Sequence, residues 1–395
     1  MGATDKYILM HRDDPCAFIA IDPDSGALIR YKTMREELVP FLGGATEKLM
    51  KKWWDARAIP GSRADMQRII REAGAENGRE YLAKNLALSI SDTYWICPEN
   101  TELHYADVNL HRFAGNRKKI VPYHNASSYD PNASLGGQMN KYWDLSTQPP
   151  TLFKVAYQNY GQQCVNEAFA TMLHQRQSTE IPFTEYTLQQ SRDNGIICSC
   201  AAFTSCETEL VPAFEVMNAG KKDNARSPYD TFIAASAAGG ADEKQMRCFM
   251  DYLTLTDFVI SNADEHLMNF GVLRDTGTMK IVGPAPIFDS GNSMFFDEVR
   301  LKPFTREELL SRRITALYPT EEKLLSRVHD KNSVKEDLLP TPAETLAFYA
   351  GHGIPEERAA FIASSYEVKL RMLREFQSGI TISLYRQKHG EVMSW

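Results

Sequence analysis

The sequence has no cysteine framework. Its seven cysteines are odd in number and irregularly spaced through 395 residues, which points to reduced thiols and excludes a disulfide-stapled scaffold. Zinc spacing is missing too: Cys198, Cys200 and Cys206 lack the paired arrangement of a zinc site and have no histidine nearby, so they read as buried strand thiols. An excess of positive charge is also lacking. The formal net charge of -7 argues against the broad positive field of non-specific nucleic-acid binding, and no direct nucleic-acid partner is expected. No apolar run approaches the length that spans a bilayer, and the start MGATDKYILMHRDD has neither the charged nor the apolar region of a signal peptide. Lys6 stands where a myristoylation motif after Gly2 needs Ser or Thr. The expectation is a cytoplasmic protein without membrane contact. Walker A and G-x-G-x-x-G motifs, internal repeats and low-complexity tracts are absent as well.

What remains is the composition of an ordinary globular protein, 43% hydrophobic and 24% charged. The chain exceeds the roughly 250–300 residues at which single cores stop growing, so two or three cores are expected. Tyr7–Met10, Cys16–Ile21 and Ala27–Tyr31, separated by turn clusters, predict a three-stranded meander. Helical spacing around Trp53, Trp54, Ile69, Ile70 and Tyr81 completes a small α+β unit over residues 1–115, with the tryptophans read as helix packing. Gly115–Pro131, with the basic run Arg117, Lys118 and Lys119, is the candidate linker. Beyond it, Leu152–Tyr157, Ile196–Phe203 and Leu210–Val216 predict strands, the second following an Asn194-Gly195 turn, and Cys164–Leu173 predicts a helix. The polar stretch Asn218–Asp223 is a candidate hinge. The last hundred residues read as helical, with capping boxes at Thr305/Glu308 and Thr341/Glu344.

Phosphoryl transfer needs a carboxylate near the acceptor hydroxyl, oxygen ligands for magnesium and a cation on the phosphates. Asp264 and Asn269 form D-x-x-x-x-N directly after a helical run, a spacing at which one loop presents a base and a metal ligand. Alone, the pair is equally an Asp and an Asn in a surface turn. PIFDSGNS then puts Asp289 at the end of an apolar strand, and the predicted hairpin Phe270–Arg274, Met279–Val282 with its DTG turn carries it back towards Asn269. Upstream, Lys154 interrupts the apolar strand TLFKVAY, and Glu167 on the next helix is a partner that would hold it against phosphates. The alternative is a lysine snorkelling from a sheet edge. NASLGGQMNK, Asn132–Lys141, is a glycine-containing loop placed where its amides could cover phosphates.

The order SLGGQMNK, TLFKVAY, NEAFATML, SNADEHLMNFGVLRD, PIFDSGNS resembles the HipA-like serine/threonine kinases, which include the toxin components of bacterial toxin–antitoxin pairs. The resemblance runs from about Ser134 to the C-terminus, and WWDARAIPGSR is more loosely similar to that family's N-terminal subdomain. It implies an α+β, two-lobed protein-kinase-like fold with a small N-terminal accessory domain over 1–115, an N-lobe over 116–218 and a mostly helical C-lobe over 219–395. It further implies ATP and Mg2+ as cofactors, Asp264 as catalytic base, Asn269 and Asp289 as metal ligands, and Lys154 with its partner Glu167 on the phosphates. Ser134, Gly136 and Gly137 would contact the nucleotide from the loop, and Phe214 and Glu215, in a hinge strand ELVPAFEV, would lie beside the adenine. His266 would order the catalytic loop next to the nucleotide. Ser134, Gly137 and Lys141 keep the family's spacing around a serine that members can autophosphorylate, while Gln138 sits one place early. Glu265 departs from the frequent Arg of D-R-H, and an acid beside the base would weaken phosphate contacts or favour a basic acceptor. The expected partners are a protein substrate with an acceptor Ser or Thr and an antitoxin-like regulator. A nucleotide-binding pseudokinase and a small-molecule or lipid kinase stay open as alternatives.

Overall fold

The computed structural model describes residues 5–61, 63, 66–112, 129–137, 139–190, 195–218 and 226–384. Most of the candidate linker with its basic run, Gln138, Asn194 and all but Asn218 of the candidate hinge lie outside them.

The predicted meander is present as β1 (Asp5–His11), β2 (Asp14–Ile21) and β3 (Leu28–Thr33). A fourth strand, β4 (Tyr94–Pro98), pairs antiparallel with β1, giving the order β3-β2-β1-β4. Alternation decides which face is covered: Tyr7, Leu9 and His11 are buried while their β1 neighbours are not. α1 (Glu47–Arg57) begins where the Thr46 side chain accepts the Leu49 N–H. It buries Met50, Trp53, Trp54 and Arg57 at helical spacing against that sheet. Three shorter helices, α2 (Met66–Glu72), α3 (Gly78–Lys84) and α4 (Tyr105–Val108), complete this part.

A second antiparallel sheet has the order β5-β6-β8-β7, from β5 (Asn140–Asp144), β6 (Thr151–Ala156), β7 (Thr187–Gln190) and β8 (Ile196–Ala201). α5 (Gln162–Gln177) packs beneath it, and Cys164, Cys198 and Cys200 are buried between them. β9 (Thr208–Pro212), β10 (Gly271–Asp275) and β11 (Ile281–Pro284) form a third sheet, the last two being the predicted hairpin. Here one expectation fails. Leu210–Val216 is not a continuous strand: β9 stops at Pro212, and Ala213–Met217 is a short helix, α6. Proline has no N–H to extend the ladder and starts the helix instead. The turn fits only because residue 271 is glycine, since a Cβ there would lie 2.3 Å from the Val211 carbonyl oxygen.

The remainder is helical, as expected: α7 (Pro228–Ala238), α8 (Glu243–Ile260), α9 (Arg306–Ser311), α10 (Glu321–Leu325), α11 (Pro342–Gly351) and α12 (Glu356–Gln377). Both predicted capping boxes are formed. α5, α7, α8, α11 and α12 share the largest apolar core. No helix among the described residues is long and apolar enough to cross a membrane.

The N-terminal sheet is bolted to the third sheet by a buried charge network. Glu209 on β9 is fully buried and accepts from Arg274 Nε at 2.8 Å, from the Thr93 N–H at 3.1 Å and from the Thr93 hydroxyl at 2.9 Å, with His11 Nε2 at 3.1 Å. Arg274 also donates to the Tyr94 hydroxyl at 2.9 Å. Removing one member of a buried pair strands the other. Arg274→Met is therefore expected to cost about 3–5 kcal/mol of unfolding free energy in urea titration; a loss below about 1 kcal/mol, the worth of an exposed pair, would disprove the bolt.

Candidate active site

Lys154 is the centre of the site. Its place in β6 points it inward with Ala156, and only 2% of it is exposed. An ammonium so buried must be paired. Its Nζ donates to Glu167 Oε1 at 2.5 Å and to Asp289 Oδ1 at 2.6 Å, and it lies 4.9 Å from the centre of the Tyr186 ring. Burial alone would lower its affinity for a proton; the Asp289 and Glu167 carboxylates outweigh that and hold its pKa well above the ordinary value. Asp289 moves the other way: burial would raise it, but Lys154 and then Lys141 hold it well below the usual carboxylate range. Three elements thus converge on one ammonium. Asp289 itself sits in the left-handed region with φ 63°.

Asp264 and Asn269 belong to the loop after α8, which ends at Ser261 with φ 50°. Asn269 Nδ2 donates to the Asp264 carbonyl at 2.7 Å, tying the two ends of D-x-x-x-x-N together. The Asn269 N–H meets the His266 carbonyl at 2.8 Å, and His266 Nδ1 accepts the Met268 N–H at 3.2 Å, so His266 orders this loop. Asn292, three residues beyond Asp289, donates to Asp264 Oδ2 at 2.8 Å. Asp264 and Asp289 therefore share one wall rather than opposite sides of the molecule. Both line a cleft of about 1120 Å³ together with Lys154, His266 and Asn269. Ser134, Gly136 and Gly137 line it from the glycine-containing loop, as do Phe214 and Glu215. These last two lie on α6 and not on a strand, and α6 is hung from the D-x-x-x-x-N loop by the Phe214 N–H to Leu267 carbonyl bond at 2.9 Å. Glu167 stands behind Lys154.

Three features were missed. Lys141 faces Lys154 across the β5–β6 register and lines the cleft, its ammonium tucked under Gly137, where an added Cβ would lie 2.8 Å from it. Burial outweighs the neighbouring Asp289 and brings it down to about 8. No local pattern marks it, because its place opposite Lys154 comes from the pairing of two strands. Arg63 clamps the same loop at both ends, donating to the Leu135 carbonyl at 3.2 Å and the Lys141 carbonyl at 2.5 Å. Trp53, Arg57 and Asp92 close the far end of the cleft, so Trp53 does more than pack its helix. Arg57 and Asp92 form a two-pronged pair at 2.5 and 2.8 Å.

Glu265 overturns an expectation. It does not face the cleft: it is buried, and its Oε2 accepts from Asn262 Nδ2 at 2.9 Å, an amide that also donates to Asp257 Oδ1 at 3.0 Å. Ala263, Asp264 and His266 line the cleft while Glu265 between them does not.

The oxygen donors fit magnesium. Asp289 keeps Oδ2 and Asn269 keeps Oδ1 once Lys154 and the Asp264 carbonyl are served, and a cation that takes one or two protein ligands plus phosphate oxygens needs no more. Among the described residues no cluster of three His, Cys, Asp or Glu side chains forms a complete metal cage.

No family model matches the chain. The serine/threonine-protein kinase CtkA of Helicobacter pylori is 28% identical over 163 residues, 39% of this chain and 48% of that protein, so the chain spans about half the length of this curated relative. A crystal structure of the H. pylori proinflammatory kinase CtkA superposes with a TM-score of 0.43 at 16% identity, over 61% of this chain and 93% of that one. A chain of the Shewanella oneidensis toxin–antitoxin complex of HipA, HipB and operator DNA superposes with a TM-score of 0.51 at 12% identity, over 95% of this chain and 98% of that one. The chain has the fold of the HipA-like kinases. The HipA-like superposition covers nearly the whole molecule, whereas the sequence match to CtkA covers a limited stretch.

The inward turn of Glu265 has a consequence in pH. Burial, with Asp257 beside it, raises its pKa well above the ordinary 4.5, and burial pushes Asp257 itself up to about 8. A carboxyl that keeps its proton only in the fold contributes stability that is lost as pH rises above its unfolded value. Glu265→Gln keeps an acceptor for Asn262 and cannot ionise. Its unfolding free energy, measured in urea between pH 5 and 8, is expected to fall less steeply with pH than that of the wild type; an unchanged slope rules out the buried acid.

Proposed function

We propose that this protein is an ATP-dependent serine/threonine protein kinase of HipA-like type. The observation that carries the reading is the Lys154 ammonium held between Glu167 and Asp289 on the same cleft wall as Asp264. In this reading residues 1–115 are an accessory domain, 116–218 the N-lobe and 219–395 the C-lobe.

Asp264 Oδ2 is fixed by Asn292, and its Oδ1 has no hydrogen-bond partner among the described residues. That oxygen accepts the proton of the acceptor hydroxyl as the phosphoryl group departs. Lys154 and Lys141 place two cations against the phosphates, and the loop of Ser134, Gly136 and Gly137 covers them. Asp289 and Asn269 are the residues that would hold magnesium, which would supply charge neutralisation on the phosphate oxygens. Phe214 and Glu215 lie at the base end. Ser134, in the loop directly over the phosphates, is a candidate for autophosphorylation. An antitoxin-like regulator is proposed as partner by analogy with the HipB present in the Shewanella complex. The inward-facing Glu265 removes the feature that favoured a pseudokinase.

Labelled ATP and magnesium test the proposal, with phosphate followed into protein and into extracted metabolites. Asp264→Ala and Asp289→Ala should each slow transfer by about a hundred- to ten-thousandfold, and mass mapping should place the label on serine or threonine. Transfer at the wild-type rate by Asp264→Ala contradicts the base assignment; label found only on a metabolite contradicts the protein substrate.

A further inference from the structure

The segment after Asp289 is bent against its own preference. Met294 and Phe295 adopt φ 49° and 61°, the left-handed region that non-glycine residues rarely occupy, and Asp289 does so at 63°. Consecutive left-handed residues persist only where the surroundings over-determine them. The two side chains are fully sunk in the helical core, but it is the backbone carbonyls that are gripped. Asn166 Nδ2 donates to the Gly291 and Ser293 carbonyls at 2.8 and 2.7 Å, and Gln162 Nε2 to the Met294 carbonyl at 2.9 Å. Asn159 Nδ2 reaches the Phe296 carbonyl at 2.7 Å.

Arg358, on α12, completes the grip. Its Nη2 donates to the Phe296 carbonyl at 3.0 Å, its Nη1 to the Glu298 carbonyl at 3.1 Å, and its Nε to Gln162 Oε1 at 2.5 Å. The side chain is 4% exposed, yet it makes no salt bridge to a carboxylate among the described residues. The nearby Glu298 and Asp297 carboxylates offset part of the cost of burying the guanidinium without pairing with it, and its planar fork is spent on main-chain oxygens of one loop. Such an arrangement fixes the path of a backbone.

The path leads to the site. Gln162, Asn166 and Glu167 succeed one another on the first turns of α5, and Glu167 Oε2 accepts the Ser290 N–H at 2.9 Å while its Oε1 holds Lys154. One end of the segment is thus set by Glu167 beside Asp289, and the other by Arg358 through Gln162. We propose that Arg358 is a positioning residue, which holds the loop carrying Asp289 in the geometry that binds the metal ion with the nucleotide. This rests on the kinase reading above, and it adds a C-terminal helix to the parts that serve the phosphate end of the cleft.

The test uses the 395-residue chain and two readouts. The half-saturating Mg2+ concentration for binding a non-hydrolysable ATP analogue is measured by titration calorimetry, and amide hydrogen exchange is followed over residues 289–298. Arg358→Lys keeps the charge but loses the fork. It should raise the half-saturating Mg2+ about 10- to 100-fold, as loss of a residue that orients a metal ligand does, and should speed exchange in the segment. Asn159→Gly, which removes one contact while suiting the left-handed turn at that position, should shift both in the same direction by less. Faster exchange with an unmoved Mg2+ midpoint means that Arg358 only braces the fold, and the proposal falls; unchanged exchange and midpoint overturn it as well. If the wild type does not bind the analogue at any Mg2+ concentration, the kinase reading itself fails, a result that variants of Arg358 do not affect.

Discussion

Everything at the cleft depends on taking one ammonium group out of water. Lys154 can be buried only because two carboxylates meet it, and those carboxylates come from different parts of the chain: Glu167 from α5, Asp289 from the loop after β11. Removing Glu167, the fully buried partner, is the break expected to cost about 3–5 kcal/mol; Asp289 is a third exposed. The ion triad therefore does two things at once. It locks the β5-β6-β8-β7 sheet to the helical part of the molecule, and it leaves one Asp289 oxygen without a hydrogen-bond partner among the described residues. A pair built for stability alone would be better replaced by apolar packing; the free oxygen is what an apolar substitute could not supply.

A second buried network makes the N-terminal sheet part of the same body. Glu209 and Arg274 face each other across β9 and β10, and through Thr93, Tyr94 and His11 they fasten β1 and β4. The same β9 runs directly into α6, which carries Phe214 and Glu215 to the cleft. Arg63, Trp53 and Arg57 reach the cleft from that N-terminal part. The α6 end of the cleft and the glycine-containing loop are consequently shaped by residues far upstream of the D-x-x-x-x-N loop.

How much of this was legible depended on whether a residue's partner lay in a recognisable local pattern. Lys154 broke an apolar strand, D-x-x-x-x-N followed a helix, and a DTG turn between short strands brought Asp289 back; each is a local irregularity, and each led to a residue on the cleft wall. The two capping boxes were equally local, and both formed. Pro212 was present in ELVPAFEV but was outweighed by the β-propensity around it, so the turn into α6 was taken for strand. Lys141 looked like the end of a glycine-containing loop, because the pairing of β5 with β6 that sets it opposite Lys154 is a tertiary fact. Arg358 carried no signal: an arginine in an amphipathic helix reads as solvated until its carbonyl acceptors are seen.

Glu265 and Arg358 show from opposite directions why charge in a sequence is a poor guide to charge in a site. Glu265 is the immediate neighbour of Asp264, yet its carboxyl turns away from the cleft into a buried contact with Asn262, where burial raises its pKa. Arg358 is distant in sequence, yet its guanidinium ends on the backbone of the loop that carries Asp289. What decides each case is the direction of the side chain relative to the cleft and the groups that neutralise it once buried. A fold shared with HipA at 12% identity fixes the positions of the elements; these two residues show that the chemistry of the site must still be read from this chain's own buried contacts.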